Sequence, residues 1–165
     1  MADRICCFAT LSRWAGHQLK RPGLLLFVLL AGACHSERPS DETLIRHFEE
    51  NAGHFAAIIT MLGQDPKVGT IGRDFLFEAD KPFVSASVTR LGITEERLDE
   101  YKRILARAGV SRLDRYGEAV SFGIWGSGFA GNTHHKGIAW LANEPQGGSD
   151  RRFSHIRDNW YLYDD

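Results

Sequence analysis

Three histidines are placed where they could do chemistry. His134 and His135 adjoin in a glycine-rich loop, and His155 lies further on, in the last apolar stretch. Neutral imidazoles ligate zinc, and one imidazole can act as a general base near neutral pH. The same loop spells G-x-G-x-x-G as Gly126–Ser127–Gly128–Phe129–Ala130–Gly131, with Asp150 downstream. A dinucleotide site would need a helix next, because the amides of its first turn hold the pyrophosphate. The next residues are "NTHHKGIAWLA", which read as a loop and a strand, so the glycines predict a hairpin loop. His47 and His54 lie seven residues apart on one predicted helix, ~10.5 Å along its axis. Two ligands of one ion on a helix want a spacing of three or four. No serine sits in a nucleophile elbow and no carboxylate pair stands out. We therefore assign no catalytic residue, expect no cofactor and no metal, and keep His134, His135 and His155 as candidate metal or ligand residues.

The most specific chemistry belongs to Cys34, which closes the run "GLLLFVLLAGAC". Gly23 to Ala33 is too short to cross a bilayer core, which takes ~20 apolar residues. It has the length of a secretory signal's apolar region, with Lys20 and Arg21 as the positive flank. Ala31–Gly32–Ala33 before Cys34 resembles the bacterial lipobox, where a peptidase cuts ahead of a cysteine carrying diacylglycerol. The usual leucine three residues before the cysteine is replaced here by Ala31, with Leu30 one earlier. The stretch before Lys20 is long for a signal, which a start of translation near Leu19 would explain. Residues 1–33 are thus expected to be a signal peptide and 34–39 a lipidated tether. The expected destination is the extracytoplasmic face of a cell membrane, held by the lipid. The residue after Cys34 is His35 rather than Asp, which favours the outer membrane where the host has one.

Composition bounds the rest. With 43% hydrophobic and 25% charged residues in 165, the chain has room for one globular domain. Outside residues 1–33 it carries 16 basic against 20 acidic residues and no basic stripe, which argues against nucleic acid. Cys34 is followed by no other cysteine, so neither an internal disulfide nor a cysteine-based zinc site is open to the mature chain.

The elements that would position these residues begin at Ser40, an N-cap with Asp41 and Glu42 behind it. Leu44, Phe48, Phe55, Ile59 and Leu62 make one apolar helix stripe. Residues 63–93 are irregular, with "DFLFE" and "FVSASV" as short strand candidates. "GITEERLDEYKRILARAGV" predicts a second helix from Thr94 to a stop at Gly109, burying Leu98, Tyr101, Leu105 and Ala108. "AVSFGIW" alternates as a half-buried strand, "KGIAWLA" reads as another, and "RRFSHIRDNWYLYDD" predicts a hairpin turning at Asp158–Asn159. The expected fold is α+β: two amphipathic helices packed on a C-terminal antiparallel sheet built from residues 112–165, one domain over 40–165, preceded by the signal segment.

"PSDETLIRHFE", "GITEERLDEYKRIL", "KGIAW" and "HIRDNWYLYDD" together resemble a group of small bacterial secreted or lipid-anchored proteins of unknown function. The resemblance covers most of residues 34–165 and lapses over 65–90. It implies lipoprotein status and no catalytic residue. The expected function is a membrane-tethered module of the cell envelope that binds or supports, with the membrane and an envelope protein or small ligand as partners. The alternative is a small envelope enzyme or metal-binding protein using the loop histidines.

Overall fold

Ser40 starts the first helix as its side chain implies. Its hydroxyl accepts from the Thr43 amide, and α1 runs Asp41–Gln64. The computed structural model describes residues 37–79, 81–129, 132–145 and 151–165. The expectations for the signal segment and Cys34 fall outside the described residues. Along α1, Leu44, Phe48, Phe55 and Leu62 are buried as the stripe predicts, joined by Ile58 and Met61, while Ile59 is only partly covered.

Three short strands come next: β1 (Val68–Ile71), β2 (Leu76–Glu78) and β3 (Lys81–Ser85). The stretch "FVSASV" divides, because Ser87 caps a one-turn helix, α2 (Val88–Leu91), which stops at Gly92 in the left-handed region. Then α3 (Glu95–Arg107) is capped by the Thr94 hydroxyl and buries Leu98, Tyr101 and Leu105, with Ala108 buried just beyond. The rest is strand: β4 (Arg112–Tyr116), β5 (Ala119–Phe129), β6 (Asn132–Leu141), β7 (Arg152–Arg157) and β8 (Trp160–Asp164).

All eight strands join one antiparallel sheet in the order β3-β2-β1-β4-β5-β6-β8-β7. The sheet therefore extends beyond residues 112–165, since β1 pairs with β4 and brings β2 and β3 with it. The last hairpin turns at Asp158, the one described non-glycine residue with positive φ, at 46°. It pairs Arg152–Arg157 with Trp160–Asp164 as expected.

Register decides what each sheet face carries. Ile71, Leu113, Phe122, Ile138 and Leu162 stand opposite one another across five strands, and all are buried in one cluster with Phe48, Phe55 and Tyr101. That is the face covered by the helices. Side chains alternate along a strand, so the next row, Thr70–Asp114–Ser121–Ala139–Tyr161, belongs to the opposite face.

The chain just before α1 is clasped to the sheet. Arg38 pairs with Asp164 on β8 and lies over the Trp125 ring of β5, 5.8 Å from its centroid. Lys136 of β6, only 7% exposed, donates to the Pro39 carbonyl at 2.9 Å and pairs with Asp41 at 2.6 Å. A buried ammonium survives only with such partners.

Candidate functional site

The sheet face opposite the helices holds a second row, Arg112–Gly123–Gly137–Tyr163–Phe153. Two neighbouring glycines leave a depression between Arg112 and Tyr163. The Tyr163 ring fills part of it by leaning over Gly137, where a Cβ would come 3.0 Å from its Cε1. Its hydroxyl reaches toward Gly123, 3.6 Å from the place a Cβ would occupy. Above this floor lies a cavity of ≈ 470 Å³, within the ~300–1,000 Å³ of ligand pockets. Its walls include Arg73 and Phe75 after β1, Trp125 and His135 from the β5–β6 hairpin, and Arg151 at the start of β7.

The polar groups of the floor are tied together. Asp114, 8% exposed, accepts from Arg112 Nε at 2.6 Å and Nη2 at 2.8 Å, and from the Thr70 hydroxyl at 2.9 Å. The hydrogen bond to Asp114 holds the Arg112 guanidinium pKa above its ordinary value, against the opposing effect of burial. Arg112 also lies over Phe75, 5.6 Å from the ring centroid. Across the cavity, Arg151 donates to Asp165 at 3.0 Å and stacks over Tyr163 at 5.3 Å.

Burial pushes the Tyr163 phenol well above its ordinary pKa. Tyr101 on the helix face is raised too, by burial and by donating to Asp65 at 2.9 Å. Both phenols keep their protons in the folded chain after the unfolded chain has begun to lose them. Their contribution to stability is therefore intact below the free-phenol pKa of about 10 and is lost progressively as pH rises above it. Denaturant unfolding from roughly pH 8 to 11 should show stability falling toward the top of that window; a flat profile would contradict it.

The three candidate histidines do not come together. His134 and His135 are adjacent on β6 and so point to opposite faces. His134 Nδ1 lies 3.2 Å from the Asp165 carbonyl oxygen, and His135 lines the cavity with its Nδ1 3.4 Å from the Asp165 carboxylate. His155 is on β7, exposed, with Nε2 2.9 Å from the Asp158 carbonyl oxygen and its ring edge-on to Tyr161. Its row meets β6 at Ala139, four residues from His135 and so about 13 Å along the strand. Among the described residues no group of three or more His, Cys, Asp or Glu is arranged to hold a metal ion. His47 Nε2 lies 2.7 Å from the Ala108 carbonyl oxygen, joining α1 to the end of α3.

The described part of the glycine motif is extended: Gly126 and Gly128 belong to β5, and the chain resumes as strand β6 at Asn132, where a phosphate site would need a helix. The cavity's own residues gave a weaker signal. Arg112 and Asp114 alternate with Leu113 in "RLDRY", which marks a strand with a polar face but not the glycine pair set beside it. No family model, no curated protein and no solved structure matches the chain, so its functional reading rests on its own residues.

Proposed function

We propose that this protein is a lipid-tethered module of the cell envelope that binds a small ligand in the cavity on the sheet face opposite its helices. The observation that carries the binding part is that cavity, whose charged floor is neutralised within itself. Asp114 is engaged by Arg112 and Thr70. An arrangement of this kind orients a bound molecule more readily than it transforms one. Of the three histidines of the enzyme alternative, only His135 lines the cavity.

The tether part rests on the sequence around Cys34. Anchoring needs more than one acyl chain, since each buried methylene contributes only ~0.8 kcal/mol and one chain holds marginally. Among the described residues no helix is long and apolar enough to cross a membrane. Cys34→Ser should abolish incorporation of labelled fatty acid and move the protein out of the membrane fraction or leave its precursor uncut. If wild type and Cys34→Ser fractionate alike, both retaining residues 23–33, the segment is an ordinary anchor and the lipoprotein reading falls.

A further inference from the structure

Among the described residues, the Tyr163 hydroxyl is a polar group of the cavity floor that the fold does not use. Tyr163 is only 4% exposed, yet its hydroxyl, which faces the cavity beside Gly123, has no hydrogen-bond partner among the described residues. That hydroxyl opens onto the cavity and is not sealed in the interior, so an acceptor or donor entering the cavity can reach it. Two guanidiniums flank it. Arg112 holds Asp114 through Nε and Nη2 and interacts with the Tyr116 hydroxyl at the same cavity, and Arg151 lies over the Tyr163 ring itself.

Charge chooses the sign of that ligand. Arg73, Arg112 and Arg151 line the cavity against the single carboxylate Asp114. Counting Asp165, which pairs with Arg151, still leaves arginine in excess among the described residues of the cavity. Arg73, exposed at the mouth, has no ion-pair partner among the described residues. The walls add flat apolar surface from Trp125 and Phe75, the latter 37% exposed. Guanidinium pairs with oxyanions far more strongly than with neutral oxygens.

Resting on the reading of this cavity as a binding site, we propose that it takes a small oxyanion borne on a flat ring. The anion accepts from the Tyr163 hydroxyl and from Arg112 and Arg151, and the ring lies against Trp125 and Phe75. Ring and charge act together, so neither part alone should bind as well as the whole.

The test uses the full chain in detergent micelles, followed by the backbone amide signals of Gly123 and Gly137. Phenyl phosphate should shift both signals in a saturable manner. Phenol and inorganic phosphate should each bind at least tenfold more weakly. Tyr163→Phe keeps the ring and its packing, and should weaken phenyl phosphate binding at least tenfold without changing thermal unfolding. Arg151→Gln should show the same loss and serves if the Tyr163 variant does not fold. Phenol binding as tightly as phenyl phosphate, unchanged affinity in the folded variants, or no movement of the glycine signals would each overturn the proposal. The Cys34→Ser result is read on another residue by another assay, so the tether and the ligand class can fail separately.

Discussion

Phe122→Ala is expected to lower the unfolding free energy by about 3–5 kcal/mol. Phe122 is fully buried at the middle of the sheet, opposite Leu113 on one side and Ile138 on the other. Its ring meets Phe55 of α1 edge-on at 5.0 Å and Trp160 of β8 at 6.0 Å. Removing it takes away the piece that joins the helix to two strands, and rigid strand backbone on both sides limits collapse into the hole. The loss thus includes both transfer of the missing atoms and the cavity left behind. Chemical denaturation of the purified variant measures it. A loss below about 1 kcal/mol, far under the range for a buried aromatic, would show that the helices do not cover this face.

Gly137→Ala should be comparably damaging for the opposite reason. An added Cβ would fall 2.1 Å from the Phe122 carbonyl oxygen, a backbone atom that cannot swing aside, and 3.0 Å from the Tyr163 ring. Overpacking of a fixed site costs about 1–3 kcal/mol and more where backbone must move, so we expect about 3 kcal/mol. The same change at Gly53 in α1 meets nothing within 4 Å and is the matched control. Thermal unfolding of the two variants side by side decides it. Equal midpoints would mean that Gly137 is not pressed between strands β5 and β8.

These two sites differ in how far the sequence exposes them. Phe122 is legible in "AVSFGIW", where alternation alone assigns it to a buried face. The caps at Ser40 and Thr94 and the turn at Asp158 are equally local, each set by a few neighbouring residues, and the chain obeys all three. Strands β1 to β3 are harder to read because Gly69, Gly72 and Pro82 interrupt them and none exceeds five residues. Their place is fixed through β1, which pairs with β4, more than 40 residues later in the case of Thr70 and Asp114. The cavity is the least legible part. Arg112, Gly123, Gly137 and Tyr163 come from four strands, and only register sets them in one row. Parity along "WYLYDD" separates Trp160 and Leu162 from Tyr161 and Tyr163, yet says nothing of which glycine Tyr163 will overlie. Histidines attract notice by type, whereas an arginine and a glycine two strands apart do not.

The clasp before α1 has a mechanical meaning. Arg38 grips Asp164 and Trp125, and Pro39 is held by Lys136, so three adjacent strands meet the chain before its first helical turn. A pull applied upstream of Arg38 is therefore shared by β5, β6 and β8 before it reaches α1. These side-chain contacts must give way before a pull of that kind acts on the first turn of α1.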